Sequence, residues 1–408
     1  MDWLKSGLWE IKQSSALRWF GFLLALSHLM TFFLWVSGGH PPLAYYADAA
    51  PLCWSFFEDC ASLRVLSHGQ MTLVYYTYPV LAIISGLMFL SLRLYGFSWF
   101  FLLLAFLFKS LLYFNDARLS SNAHYLLFFA HIAYLFVPQK KSVLKYLLVS
   151  FFVASGILKL NGDWMSGLWL QQHTGLHPKV SEWIAALSAI AELILPWLLV
   201  SRKSQNIVIG FFALMAYSLS YWFVSDSMGP AVQILFLLYY PFYYLEQRRI
   251  EMEYLYQSYI RPEASRAWIF VALLTFWSLQ ALPFARHVNP AMESVSENLA
   301  LEGYPAVKEC KQTTFALFTK EVREIRMDEP KGRPERLHCD PFMRFLDVKI
   351  LCQKLANEPG FQNIASSFLL RELDDKDYRR IFETDDICSE KVNFRNLELL
   401  GWNRTKGG

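Results

Sequence analysis

Long apolar runs, separated by short polar stretches, fill the first two thirds of this 408-residue chain. Nine runs approach the roughly 20 helical residues that a bilayer core of about 30 Å demands. They cover about 16–37, 71–93, 96–114, 121–138, 142–160, 180–201, 205–224, 228–244 and 267–284. Backbone that crosses hydrocarbon must satisfy its own hydrogen bonds, so each run is predicted to be a helix. Beyond residue 284 the pattern shortens. Thr313–Thr319 and Ser366–Leu370 read as strands, Phe342–Leu355 as a helix, and the charged stretch Asp374–Phe382 as another helix. The predicted class is an all-α polytopic membrane bundle (residues 1–284) followed by a small α+β domain (residues 285–408).

Composition sharpens that division. The chain is 54% hydrophobic and 18% charged, too apolar for an ordinary soluble protein of this length. Residues 285–408 nevertheless carry 20 of the 38 lysines and arginines and 21 of the 35 acids, so the two parts face different solvents. A net charge of +3 without a clustered basic face gives no reason to expect nucleic acid as a partner. The expected partner is the lipid bilayer.

Basic residues gather on alternate loops: Lys140, Lys141 and Lys145, then Arg202 and Lys203, then Arg248, Arg249, Arg261 and Arg266, on the side shared with Lys5, Lys12 and Arg18. The positive-inside rule makes that side cytoplasmic, and an odd number of spans then delivers the C-terminal domain to the periplasmic or extracellular face, with a bacterial inner membrane as the expected setting. All six cysteines fall on the outer side: Cys53 and Cys60 in the first outside loop, Cys310, Cys339, Cys352 and Cys388 in the domain. An even set confined to an oxidising face is a disulfide set. Spacing leaves the pairing open between a Cys53–Cys60 bridge with two bridges in the domain, and a bridge from loop to domain.

Few side chains in the apolar part can do chemistry. His28, Lys109, His131 and Glu192 lie within spans, where an ionisable group costs about 2.5–3.5 kcal/mol on insertion scales and needs a partner. Lys109 with Glu192 is the candidate ion pair, and His131, seven residues from His124, shares its helix face. His173 and His177 have the i, i+4 spacing of metal ligands, but Gly175 and Pro178 interrupt the helix that would present both, and no metal site is expected. At the outer end of the fifth run stands Lys159-Leu160-Asn161-Gly162-Asp163-Trp164-Met165-Ser166-Gly167, and at the outer end of the fourth Ser121-Asn122-Ala123-His124-Tyr125-Leu126. A lysine leaving a bilayer ordinarily snorkels to water.

The first of these elements resembles the K-L-x-x-D-W-x-x-G element of the vitamin K-dependent γ-glutamyl carboxylases and of the wider HTTM family that shares their membrane domain. The second resembles the Asn/His-Tyr-Leu stretch of the carboxylases. The resemblance implies about nine spans, an inside N-terminus and an outside C-terminal domain. It implies that Lys159 is the base that deprotonates a reduced vitamin K or other quinol, and that His124 assists it. Carbon dioxide and oxygen would be co-substrates, and a secreted or membrane peptide the acceptor. Asn122, Asn161, Asp163, Trp164 and His131 would line the cavity. A base must be a neutral amine, and burial disfavours the charged form of a lysine. The alternative within the same family is a non-catalytic HTTM factor that matures, binds or exports a secreted peptide. A transporter is disfavoured by the scarcity of paired charges and the lack of an inverted repeat.

Overall fold

A computed structural model describes residues 2–47, 66–91, 94–116, 119, 122–160, 162–201, 203–225, 228–254, 267–285, 308–327, 339–372, 377–389 and 392. Its helical part begins with α1 (Asp2–Gln13), α2 (Ser15–Ser37) and the short α3 (Pro41–Ala47). Then come α4 (His68–Leu90), α5 (Tyr95–Phe114), α6 (Asn122–Phe136), α7 (Lys140–Leu158) and two short helices, α8 (Gly162–Met165) and α9 (Leu168–Thr174). The remainder are α10 (Pro178–Ile194), a 3-10 segment (Leu195–Val200), α11 (Ser204–Ser225), α12 (Met228–Leu237), α13 (Tyr239–Tyr254) and α14 (Ala267–Ala285).

Every run expected to be helical contains helix. Among the described residues, five stretches are both long and apolar enough to cross a membrane: Ser15–Ser37, His68–Leu90, Tyr95–Phe114, Lys140–Leu158 and Pro178–Val200. The 15 residues of α6 rise only about 23 Å, and the apolar stretch Ala267–Ala281 of α14 is also shorter. Two runs are divided by proline. Pro196 ends regular α-helix at Ile194 because it has no N–H to continue the ladder. Near Pro241 the eighth run becomes two helices, of which α13 runs on through a charged stretch to Tyr254.

Local signals fix the helix ends. Ser14 caps α2 by accepting from the Leu17 amide at 3.1 Å, and Ser67 with Gln70 forms a reciprocal capping box at α4. The start of α7 is capped from another helix: the Glu10 carboxylate of α1 accepts from the amides of Gln139 (2.8 Å) and Lys140 (2.9 Å), placing negative charge at a helix N-terminus. This helix is the hub. It is 72% buried against 28–50% for the other membrane-length stretches, so its last residues end inside protein. By contrast α10 turns Trp183, Leu187, Ile190 and Ile194 outward, an apolar surface that suits lipid.

The C-terminal region forms an antiparallel sheet in the order β2-β1-β3-β4, built from β1 (Lys308–Phe318), β2 (Val322–Glu324), β3 (Phe361–Glu372) and β4 (Arg379–Thr384). One helix, α15 (Pro341–Leu355), is capped by Asp340 and covers one face, burying Phe345 and Val348 with Ala316, Ile364, Phe368 and Phe382. The expected helix over Asp374–Phe382 is corrected: its described residues enter β4. Charge density suggested a helix there, but the stretch pairs antiparallel with β3, with Phe382 opposite Phe368 and stacked on it, a register shift beside that pair, and Arg380 and Glu383 exposed. Two disulfides, Cys310–Cys339 and Cys352–Cys388, tie the sheet to the segment before α15 and α15 to the segment after β4. Such bridges belong to an oxidising compartment. Cys53 and Cys60 lie outside the described residues. Met343 of α15 packs on Tyr113 and Phe114, so the region meets the bundle at the C-terminal end of α5.

Candidate functional site: two buried polar clusters

Lys159 does not snorkel. It caps α7 by donating its amide to Ser155 O, and its side chain is only 2% exposed. Its Nζ donates to Glu192 Oε1 on α10 and to Tyr217 Oη on α11, both at 2.8 Å, while Tyr217 Oη donates to the same Glu192 oxygen at 2.7 Å. The three groups close a ring of hydrogen bonds in a buried site. Small residues allow it: a Cβ on Gly156 would lie 3.1 Å from both the Ala189 carbonyl and Glu192 Cβ, so glycine lets α10 approach α7 where the ion pair forms.

Aromatic rings wall the ammonium. Trp164, Tyr221 and Tyr217 have ring centroids 4.8, 5.1 and 5.5 Å from Nζ, within cation–π range. Trp164 is anchored by its indole N–H, which donates to Ala185 O and Ser188 Oγ, and it stacks on Trp169. Gly167 explains the glycine of the sequence element. Its φ is +68°, and a Cβ there would collide with the backbone of Ser181 and Glu182, so the turn carrying Trp164 under α10 needs that glycine. Among the described residues Glu192 Oε2 is buried with no hydrogen-bond partner.

The second cluster sits among α2, α5 and α6. Lys109 Nζ donates to Thr31 Oγ1 at 2.9 Å, and Thr31 passes its own hydrogen to Ser27 O. Among the described residues no carboxylate pairs with this lysine, which is 6% exposed. The expected Lys109–Glu192 pair is thus corrected: Glu192 is taken by Lys159, on other helices. His131 Nδ1 bonds the Leu127 carbonyl at 2.6 Å, which fixes the proton on Nδ1 and leaves Nε2 an acceptor. That Nε2 and both ring nitrogens of His28 are buried without partners among the described residues. The two imidazoles lie edge to face at 4.7 Å, Phe106 stacks flat on His131 at 5.1 Å, and Tyr78 meets His28 edge-on. Each such orphaned group costs on the order of 1–3 kcal/mol.

The sequence elements are therefore divided between two places. Trp164 stands over Lys159. His124, buried, instead lies against the rings of Trp35 and Tyr113, and no hydrogen bond or ring contact joins it to Lys159. His131 belongs to the second cluster. Asn161, and the side chains of Asn122 and Asp163, lie outside the described residues. His173 stacks on Trp169 at the end of α9 while His177 caps α10, and no group of three metal-ligating side chains occurs among the described residues. Sequence reasoning missed Tyr217, Tyr221 and Thr31. Their only signal was a polar atom on an otherwise apolar helix, with Tyr217 and Tyr221 one turn apart on one face. Searches against protein families, characterised proteins and solved structures find no match to this chain.

Proposed function

We propose that the chain is a carboxylase-like integral membrane enzyme of the HTTM type, with nine spans, a cytoplasmic N-terminus and its disulfide-bonded domain outside. One observation carries the proposal: Lys159, at the C-terminal end of the hub helix, is buried against Glu192 and Tyr217. A lysine acts as a base only when neutral. Glu192 offers its proton a place to go. Transfer from Nζ to the carboxylate breaks an N–H bond, forms an O–H bond, and leaves a neutral amine beside a neutral acid with no net change of charge. In a low-dielectric pocket that exchange costs less than separating the charges in either direction. Tyr217, bonded to both partners, holds their geometry through the exchange. The faces of Trp164 and Tyr221 beside the amine are the groups that would stack on the planar ring of a quinol. When bound, the quinol would supply, with oxygen, the strong base that lets carbon dioxide add to a glutamyl side chain. Glu192 and Tyr217 take the helper role expected of His124, because they touch the amine. The acceptor would be a secreted or membrane peptide approaching from the outer side.

A second reading has its own support. Lys159 is already bonded to a carboxylate and a phenol, as a residue serving only bundle architecture would be, which favours a non-catalytic factor that binds or matures a secreted peptide. Mass spectrometry of secreted proteins with and without the gene separates the two. The enzyme reading predicts glutamyl peptides heavier by one carbon dioxide only when the gene is present. Identical masses would favour the binding factor.

A further inference from the structure

We infer that Lys109, His28 and His131 form a second site, which takes the carboxyl group of a lipid-borne amphiphile such as a free fatty acid. The polar atoms define the ligand. An ammonium has three hydrogens and Thr31 accepts one, so Lys109 has donors to spare, and among the described residues no carboxylate balances its charge. Beside it His131 presents an acceptor, Nε2, whose tautomer is fixed by the Leu127 bond. Among the described residues neither ring nitrogen of His28 has a partner, and one donates and one accepts whichever tautomer it adopts. A carboxylic acid is complementary to this set: its carbonyl oxygen accepts from Lys109 and its O–H donates to an imidazole. If the acid ionises, its O–H bond breaks and the proton forms an N–H bond on His131 Nε2, leaving carboxylate on the ammonium. No oxidant or reductant is involved.

Depth selects the source of the carboxyl group. Lys109 lies five residues inside the end of α5 at Phe114, about 7–8 Å, and His28 nine residues inside the end of α2 at Ser37, about 13–14 Å. A phospholipid headgroup would have to leave the interface to reach them. A fatty acid crosses hydrocarbon as the neutral acid, and Phe106 and Tyr78 provide apolar walls. The site belongs to other helices than Lys159, so the inference stands whether or not the carboxylase-like reading does.

The test uses the full chain in phosphatidylcholine nanodiscs, with labelled palmitate and its methyl ester as probes. The expected result is saturable retention of the acid with roughly tenfold or greater preference over the ester. Lys109→Met should lower acid retention by roughly tenfold, Lys109→Arg should preserve most of it, and the exposed Lys179→Met should leave it unchanged. Folding of each variant is checked by its elution profile and helical circular dichroism. Equal retention of acid and ester, undiminished acid binding by folded Lys109→Met, or stronger retention of a phenol of matched size would each overturn the assignment.

Discussion

Lys159 and Lys109 both end inside the bundle, yet their surroundings differ in kind. At Lys159 a carboxylate and a phenol each lie 2.8 Å from the ammonium and three aromatic rings enclose it. Among the described residues a single threonine hydroxyl at 2.9 Å is the only hydrogen-bond partner of Lys109, and three imidazole nitrogens of His28 and His131 make no bond. The first cluster neutralises itself, so it can hold or exchange a proton without changing its charge. The second has a lysine that no carboxylate among the described residues pairs with, which costs stability and fits a group supplied from elsewhere. A buried ionisable residue is therefore informative through what pairs with it, not through burial alone.

Breaking the self-neutralised cluster should give the largest effect. Glu192→Leu or Lys159→Met alone strands a buried charge and should lower stability by about 3–5 kcal/mol, whereas the double variant should recover most of that loss. Unfolding of the singles and the double in one detergent checks the coupling; additive losses would make the pair unimportant. Removing the Cys310–Cys339 bridge as a serine pair should cost the C-terminal region about 2–4 kcal/mol, read by its protease resistance, without touching either cluster.

The second cluster predicts the opposite sign. Lys109→Met removes a lysine without a carboxylate partner among the described residues and should stabilise the unliganded protein by about 1–3 kcal/mol, measured by thermal unfolding. Destabilisation would mean that a partner answers the charge. Smallest is the effect at Glu246, on the basic rim. Burial pushes this carboxyl up, but bonds from Lys141, Ala16 and Ser14 outweigh it and hold it below the ordinary glutamate range. A lowered carboxyl contributes stability above its unfolded range and loses it as pH falls through the folded value, so Glu246→Gln should lower stability at neutral pH, leave it little changed at acid pH, and so flatten the acid limb of a stability-against-pH curve.

Much of the bundle was legible because a bilayer imposes length and hydropathy on each helix: each of the nine expected runs contains helix, and five described stretches are long and apolar enough to cross a membrane. The break at Pro196 and the division near Pro241 were carried by prolines inside apolar runs. The strand Arg379–Thr384 was misread because its charges outnumber its apolar residues, and its identity rests on pairing with Phe361–Glu372, distant in sequence. At the candidate site, Lys159 and Trp164 were legible from one contiguous element. Glu192 and Tyr217 were not, since 33 and 58 residues separate them from Lys159 and only helix packing selects Glu192 for that lysine instead of Lys109.

The most direct test of the central claim is the activity of Lys159→Arg, assayed as carbon dioxide gained by glutamyl residues of secreted peptides. Arginine keeps the charge, and its reach allows the bond to Glu192 to re-form, but it stays protonated at any physiological pH. The proton-transfer account predicts a protein that folds and inserts normally yet loses activity by on the order of 100-fold or more, with partial rescue of Lys159→Ala by small amines. Wild-type activity in a well-folded Lys159→Arg protein would contradict it and leave Lys159 as one half of an architectural ion pair.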